Sequence, residues 1–352
     1  MANQIKSNPI TPLVKELLGD LDARSRDVIE KRFGLMGKAH LTLAEIGNQY
    51  NITRERVRQI EALALKEARS YIEKTGLKSF VEVASGTLKN YRGIRRADLL
   101  GADLKENYQG AATDAVFSNT VHFILEASGK MEYTQTDIDW YAHWHLGKND
   151  RKTAEAIIQK SYKALKGSKE VVLAGTNFDE LFKNLFKSEG ITQTVGENYL
   201  ATSKKFAKNH FGDFGLSEWA EIKPKTARDW AYLILKKNNK PLHFQEIASK
   251  ISEYRTGKKT NFQTVHNELI KDNRFVLVGR GLYGLREFNI LPGTAREVIS
   301  HFLKKNGPLS FVDLKTAIGK ERDFKENTVL INLQNKAFFK KLDDGRYTLT
   351  EV

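Results

Sequence analysis

In the segment NITRERVRQIEALALKEAR (51–69), Arg54, Glu55, Arg58 and Gln59 fall on one side of a 3.6-residue period and Val57, Ile60 and Ala64 on the other. Side chains of the first set match base edges in a DNA major groove: Arg pairs with guanine, Gln with adenine, and Glu accepts from cytosine. Arg56 projects to the flank, where it meets phosphate. A charged helix facing solvent is the alternative reading of the same periodicity.

No comparable cluster points to catalysis. The chain has no cysteine, which removes disulfides, Cys-ligated zinc, iron–sulfur clusters and thiol chemistry together. GRGLYG (279–284) lacks the Gly-Lys-Ser/Thr that would make it a P-loop, and no GxSxG, HExxH or metal-spaced acidic cluster occurs. His143 and His145 in WYAHWHLG suit one face of a strand, with Asp137 and Asp139 the only nearby acids; aromatic packing explains them better than a metal. A binding protein without cofactor or small-molecule substrate is expected, not an enzyme.

The elements that would hold the reading helix are also legible. Thr42-x-x-Glu45 is a capping box, so a helix starts at Leu43. Tyr50-Asn51 interrupts it, since Asn tolerates the left-handed conformation. Thr53 then caps a second helix running to about Tyr71. With Thr42 and Thr53 at the helix starts, the candidate DNA contacts are Thr42, Thr53, Arg54, Glu55, Arg56, Arg58 and Gln59.

LDARSRDVIEKRFGL (21–35) followed by LTLAEIGNQYNITRERVRQIEALALKEAR (41–69) resembles region 4 of the primary sigma factors of bacterial RNA polymerase, over about residues 13–72. The resemblance implies a helix-turn-helix whose second helix reads a −35 promoter element. It also implies contact with core RNA polymerase, for which Val28, Ile29, Phe33 and Leu35 are the candidates; core packing of the small domain is the other reading of those four. No stretch reads as the sigma region that melts the −10 element, so a sole initiating sigma factor is not expected.

The C-terminal half repeats. TVHNELIKDNRFVLVGRGLYGL (264–285) aligns without gaps with TVLINLQNKAFFKKLDDGRYTL (328–349), and PLHFQEIASKI (241–251) with PLSFVDLKTAI (308–318). A fainter copy lies in FAKNHFGDFGLSEW (206–219), sharing Phe206, Gly212, Gly215, Leu216 and Glu218 with FVLVGRGLYGLREF (275–288). A period near 65 residues is that of a small domain rather than a solenoid. Each unit reads helix, short strand, helix, helix, then a hairpin turning at glycine, which is a winged helix-turn-helix. The third helix of the best copy, 261–272, should bury Val265, Leu269 and Ile270 and expose Gln263, His266, Asn267 and Lys271. Arg280 at the wing tip and Arg255, Lys258 and Lys259 in the preceding loop complete a basic, duplex-facing set. Use of the same unit for protein contacts is the competing reading.

Residues 224–288 resemble the HARE-type helix-turn-helix found in the delta subunit of RNA polymerase, which implies DNA or polymerase contacts. The last copy departs from it, with Asp343-Asp344 where phosphate would otherwise be received.

Charge agrees with two polyanion-facing surfaces. Basic residues outnumber acidic ones 14 to 10 over 1–80 and 14 to 6 over 223–288, whereas 81–222 holds 18 against 19 and 289–352 holds 11 against 8. No apolar run reaches the roughly 18 residues of a membrane helix, and the N-terminus lacks the apolar core of a signal peptide, so a cytoplasmic, nucleoid-associated protein is expected. The middle is least informative: VFSNTVHFILEAS and RKTAEAIIQKSYKAL have helical periodicity, RGIRRADLL (92–100) reads as a solvated basic turn, and IEKTGLKSF and GADLKENYQGA read as boundaries. The expected architecture is mainly α: a sigma region 4-like helix-turn-helix (1–78), a helical connecting region (79–150), a degenerate winged-helix repeat (151–222), a HARE-type winged helix (223–289) and a final winged-helix repeat (290–352). The expected function is that of a DNA-binding transcription factor resembling a truncated sigma factor, bound to double-stranded DNA and core RNA polymerase. The alternative is a delta-like polymerase accessory subunit acting through protein contacts.

Overall fold

A computed structural model describes residues 10–108, 114–167, 178–255, 259–288, 290–322 and 324–350. The chain divides into two compact units, one up to residue 207 with 215–217, the other comprising 208–214 and 218–352.

The first unit opens with four helices, α1 (Ile10–Asp20), α2 (Ala23–Phe33), α3 (Leu43–Tyr50) and α4 (Arg54–Lys74). Local sequence sets each boundary. Asp22 accepts from the backbone N–H groups of Arg24 and Ser25 and starts α2, and Gly34 in the left-handed region ends it. The expected capping box of Thr42 and Glu45 starts α3, and Asn51 (φ 53°) turns the chain into Thr53, which caps α4. Val28, Ile46, Val57 and Ile60 close a small core between α2, α3 and α4.

The region after α4 is not a helical connector. Helix α5 (Leu77–Asn90), strand β1 (Ile94–Arg96), helices α6 (Ala97–Asn107) and α7 (Asp114–Ser128), and strands β2 (Glu132–Thr134) and β3 (His143–His145) form a winged helix, its sheet ordered β1-β3-β2 and antiparallel throughout. Its core merges with that of α1, α2 and α4: one cluster runs from Ile10 through Phe33, Ala68 and Phe80 to Phe123 and Trp144. The expected boundary near residue 78 therefore falls inside a shared core.

The segment RGIRRADLL is likewise no solvated turn. Arg95 is buried in β1, where its guanidinium grips both carboxylate oxygens of Asp103 at 2.5 and 2.7 Å and donates to Asn198 Oδ1 at 3.1 Å. GADLKEN lies within α6 rather than at a boundary; the end of GADLKENYQGA falls outside the described residues. A second winged unit comes next, with α8 (Lys148–Gly167), α9 (Phe178–Ser188), α10 (Gln193–Thr202) and a two-stranded sheet of β4 (Phe206–Lys208) and β5 (Phe214–Leu216).

The second compact unit holds the two repeats recognised in the sequence. In the third winged unit, α11 (Ala227–Asn238), β6 (Leu242–His243), α12 (Phe244–Tyr254), α13 (Phe262–Lys271), β7 (Phe275–Gly279) and β8 (Leu282–Leu285) enclose one core, with sheet order β6-β8-β7. The fourth has α14 (Ala295–Asn306), α15 (Phe311–Gly319), α16 (Glu326–Leu333) and a hairpin of β9 (Phe339–Lys341) and β10 (Tyr347–Leu349); its first strand is reduced to a bridge between Leu309 and Tyr347.

The aligned positions have the same roles in space. Phe206, Phe275 and Phe339 each open the wing and are buried. Gly212, Gly281 and Gly345 each lie in the wing turn at φ 84°, 71° and 84°, a conformation that a side chain resists. Val265 and Leu269 in the third unit match Val329 and Leu333 in the fourth, and all four are buried. Ile270 departs from expectation: it is 63% exposed, because one step beyond Leu269 turns it about 100° from the buried face.

Candidate nucleic-acid interface

The first turns of α4 form the candidate reading surface. Arg54, Glu55, Arg56, Arg58 and Gln59 are exposed, while Val57, Ile60 and Ala64 on the opposite face are buried. Two side-chain pairs hold the fan in place. Arg58 donates through Nε and Nη2 to the two carboxylate oxygens of Glu55 at 2.9 and 2.7 Å, and Arg56 Nη1 donates to Gln59 Oε1 at 3.0 Å. The Arg58 guanidinium also holds the Glu55 carboxyl below the usual range. Among the described residues Arg54 has no ion-pair partner within salt-bridge distance, and its side chain is exposed beside Glu55. Thr42 and Thr53 are exposed but engaged as helix caps, accepting from the N–H groups of Glu45 and Arg56, both at 3.2 Å.

Behind this surface lies an ion network that fixes α2 against α3. Asp27 takes Lys31 at 2.6 Å and Lys38 at 2.8 Å and also receives the Tyr50 hydroxyl. Although partial burial opposes its charge, these bonds hold its carboxyl far below the usual range. Arg32 reaches across to Glu61 on α4 at 3.0 Å.

Val28, Ile29, Phe33 and Leu35, the polymerase-contact candidates, are all buried. Val28 belongs to the helix-turn-helix core, and the other three to the core shared with the first winged unit. Phe33 lies 5.3 Å from the Phe123 ring and 5.7 Å from His122. Apolar side chains that close an internal core offer no surface to a partner, so the four are packing residues.

The four wings are not equivalent. Helix α7, in the position of the third, duplex-facing helix, buries Phe117, Val121, Phe123, Ile124 and Leu125. It packs against α2 and α4, and α10 of the second unit likewise buries Val195, Asn198, Tyr199 and Leu200. The first wing tip carries Asp137 and Asp139 and the fourth Asp343 and Asp344. The third unit combines a polar third helix with a wing turn that carries a cation and no acid, whereas the turn of the fourth carries Asp343 and Asp344 between Lys341 and Arg346. There Gln263, Asn267 and Lys271 are exposed on α13, as are Lys259 before it and Arg280 in the two-residue turn between β7 and β8. His266 is half-buried instead, stacked on Phe244 at 4.5 Å with its edge toward Tyr283 at 5.7 Å. Lys258 lies outside the described residues.

His143 and His145 face the interior of β3, 5.8 Å apart and buried. His143 Nδ1 bonds the Tyr141 carbonyl at 2.8 Å and His145 Nε2 meets Thr134 Oγ1 at 3.2 Å, while the other nitrogen of each has no partner among the described residues. Burial pushes both pKa values down from the ordinary histidine value, favouring the neutral ring. The expected packing among aromatics is seen at Trp140, 5.1 Å from His143.

Comparison with known proteins agrees with this geometry. Residues 17–69 match sigma-70, region 4, and residues 225–288 match HARE-HTH, the helix-turn-helix domain described for ASXL and restriction endonucleases. The chain thus joins a sigma region 4 segment to a HARE-type segment. Relatives include the RNA polymerase sigma factor SigA of Nostoc sp., 39% identical over 79 residues, which are 22% of this chain and 20% of that protein. The sigma factor RpoD of Neisseria gonorrhoeae is 41% identical over 70 residues, 20% of this chain and 11% of its own length. The chain therefore spans a fifth or less of these relatives. Both matched segments are helix-turn-helix domains, and the likeness supports a DNA-binding, sigma-like role. Among the described residues no helix is long and apolar enough to cross a membrane.

Proposed function

We infer that this protein is a DNA-binding transcription factor that seats the start of α4 in the major groove of a −35-like promoter element. The observation that carries this is the exposed set Arg54, Glu55, Arg58 and Gln59 at the N-terminal end of a helix whose other face is fixed in a core. Phosphate contact by Lys259, Lys271 and Arg280 of the third winged unit supplies a second grip, with Gln263 and Asn267 facing base edges. Selection from a randomised duplex library by wild-type protein and by the Arg54→Ala, Glu55→Ala double variant, each at two salt concentrations, tests it. Enrichment of a −35-like hexamer by the wild type alone is expected. Steeply salt-dependent binding with no enriched sequence would show that the basic residues merely hold phosphate.

A second reading, an accessory subunit of core RNA polymerase, draws support from the acidic tip of the first wing, which repels phosphate and suits protein contacts, and from the two aspartates in the turn of the fourth. It requires co-purification with core polymerase that survives Arg54→Ala and Arg58→Ala. Absence of that complex at low salt would exclude it.

A further inference from the structure

Two surfaces outside the reading helix carry exposed aliphatic side chains beside charges of opposite sign. The first is the tip of the first wing, where Asp137, Ile138 and Asp139 link β2 to β3. Ile138 is 91% exposed, more than any other large apolar side chain among the described residues. The tip is rigid. Asp137 Oδ1 accepts from the N–H groups of Asp139 at 2.9 Å and Trp140 at 2.7 Å, and Thr136 Oγ1 donates to the Trp140 carbonyl at 3.1 Å. From the second winged unit, Lys204 N donates to the Asp139 carbonyl at 2.8 Å and Lys204 Nζ to the Asp137 carbonyl. An aliphatic side chain held this firmly in water, between two carboxylates, has little ordering entropy left to lose on docking.

The second surface is a groove of about 1100 Å3 between the third and fourth winged units. Ile270 on α13 and Leu277 and Leu282 on the third wing line it, and these three are respectively 63%, 38% and 38% exposed. Arg280, Arg322 and Lys325 also line it, with Glu321 the one acid among the described residues that do. Arg322 fixes the two units to each other by donating through Nη1 to the carbonyls of Leu291 and, at 3.5 Å, Gly293. Gly293 N in turn donates to the Leu277 carbonyl at 3.0 Å, so Gly293 is bonded to both the third and the fourth winged units. The more exposed apolar side chains of its walls are the aliphatic Ile270, Leu277 and Leu282, while Tyr283 is buried, His266 is stacked on Phe244 and Phe324 is covered by the Arg322 guanidinium. Such walls fit a branched aliphatic side chain flanked by carboxylates.

We propose that the Asp137–Ile138–Asp139 tip of one molecule docks in the groove between the third and fourth winged units of a second copy. Ile138 enters between Ile270 and Leu282, and the two carboxylates face Arg280 and Lys325. Because the two patches differ, the contact is head-to-tail, and each added molecule presents a fresh tip and a fresh groove. One apolar anchor with rim charges corresponds to affinities on the order of micromolar to millimolar.

Sedimentation velocity of the full chain, from about 10 µM to about 1 mM to span that range, tests this. The average mass is expected to rise with concentration past two chains. Ile138→Ser, at a fully exposed site, and the pair Ile270→Ser, Lys325→Glu, also at exposed sites, should each leave a monomer of unchanged circular dichroism. The decisive arm mixes the two. The Ile138→Ser protein keeps its groove and the groove variant keeps its tip, so the mixture should form a one-to-one complex that grows no further. Monomers across the whole range for wild type, association unaffected by Ile138→Ser, or a mixture that stays monomeric would each overturn the proposal. So would wild-type growth that appears only on adding a single-stranded oligonucleotide or an unrelated acidic peptide, since the groove would then serve that ligand.

Discussion

Asn119, on the third helix of the first winged unit, donates through Nδ2 to the carbonyl of Gly34, the residue that ends α2, at 3.0 Å. A winged helix normally turns that third helix toward a ligand; here it is bolted to the back of the helix-turn-helix. Arg69 of α4 donates to the Ala127 carbonyl at 3.0 Å, and Glu73 pairs with Lys130 at 3.0 Å, so the contact extends along α4. The first winged unit thereby braces α4, the candidate reading helix. Its face toward α4 is filled mainly with apolar side chains, with Lys130 at the edge.

This brace can be measured by coupling. Gly34 sits at φ 62°, and a Cβ there would meet Asn119 Nδ2 at 2.8 Å. Gly34→Ala should cost about 1–2 kcal/mol for the left-handed backbone alone, with an added penalty for displacing Asn119. Asn119→Ala should cost about 0.5–1.5 kcal/mol through the lost hydrogen bond. In the Asn119→Ala background the clash is gone, so Gly34→Ala should cost less than in wild type. Urea denaturation of the four proteins checks this, and strict additivity would mean that the two residues do not bear on each other.

Glu55 is expected to act on DNA choice and not on folding. Its pairing with Arg58 is fully exposed, and such pairs contribute little to stability. Glu55→Gln releases the Arg58 guanidinium and removes a negative charge from the surface facing phosphate. Binding to a scrambled duplex should tighten while preference for the matched duplex falls, with the denaturation midpoint unchanged. Fluorescence anisotropy on the two duplexes reads both, and an unaltered ratio of affinities would remove Glu55 from the reading surface.

The same packing explains how much of the fold and of the candidate site was legible in the sequence. Around α4 the caps, the turn at Asn51 and the two-faced period are local properties, and the structure reproduces them residue by residue. The third and fourth units were legible because glycine turns and alternating strands recur at fixed spacing. The first unit was hidden for a physical reason. Its α7 buries Phe117, Val121, Phe123, Ile124 and Leu125 against several neighbours, α2 and α4 among them, and keeps only the narrow polar stripe of Ser118, His122 and Glu126, which does not by itself tell which partners the wide apolar side meets. Its strands have three residues each, too few to show alternation, and β1 reads Ile-Arg-Arg because Arg95 is neutralised inside by Asp103, a partner eight residues on. Ile270 was misplaced for a smaller reason, since adjacent apolar residues on a helix cannot both face inward when the buried stripe is narrow.

The second winged unit, fainter in sequence, makes its own prediction. Gly196 lies in the first half of α10 directly over Phe186 of α9, and a Cβ there would approach that ring to 2.4 Å. Helix propensity favours Ala over Gly by about 1 kcal/mol, whereas overpacking a filled core costs about 1–3 kcal/mol. Because Phe186 is 1% exposed and has little room to move, the second effect should win. Gly196→Ala is expected to lower the thermal midpoint; a rise would mean that α9 and α10 are not in close contact.

The buried histidines predict an acid-sensitive first unit. His143 and His145 face the Arg151 cation, with Asp137 near the former and Glu132 and Asp150 near the latter, and for both rings burial is the largest influence and lowers the pKa. A histidine depressed below its ordinary value of 6.5 takes up its proton more readily when unfolded, so the unfolded chain binds more protons over that interval. Stability from these two residues is therefore fully present above pH 6.5 and is lost as pH falls below it. The carboxylates held low by hydrogen bonds, Asp27 among them, lose their contribution at still lower pH. Thermal unfolding between pH 7.5 and about 5 should show a falling midpoint, and His143→Gln with His145→Gln, though less stable at neutral pH, should flatten that slope. An equal slope in wild type and double variant would assign the pH dependence elsewhere.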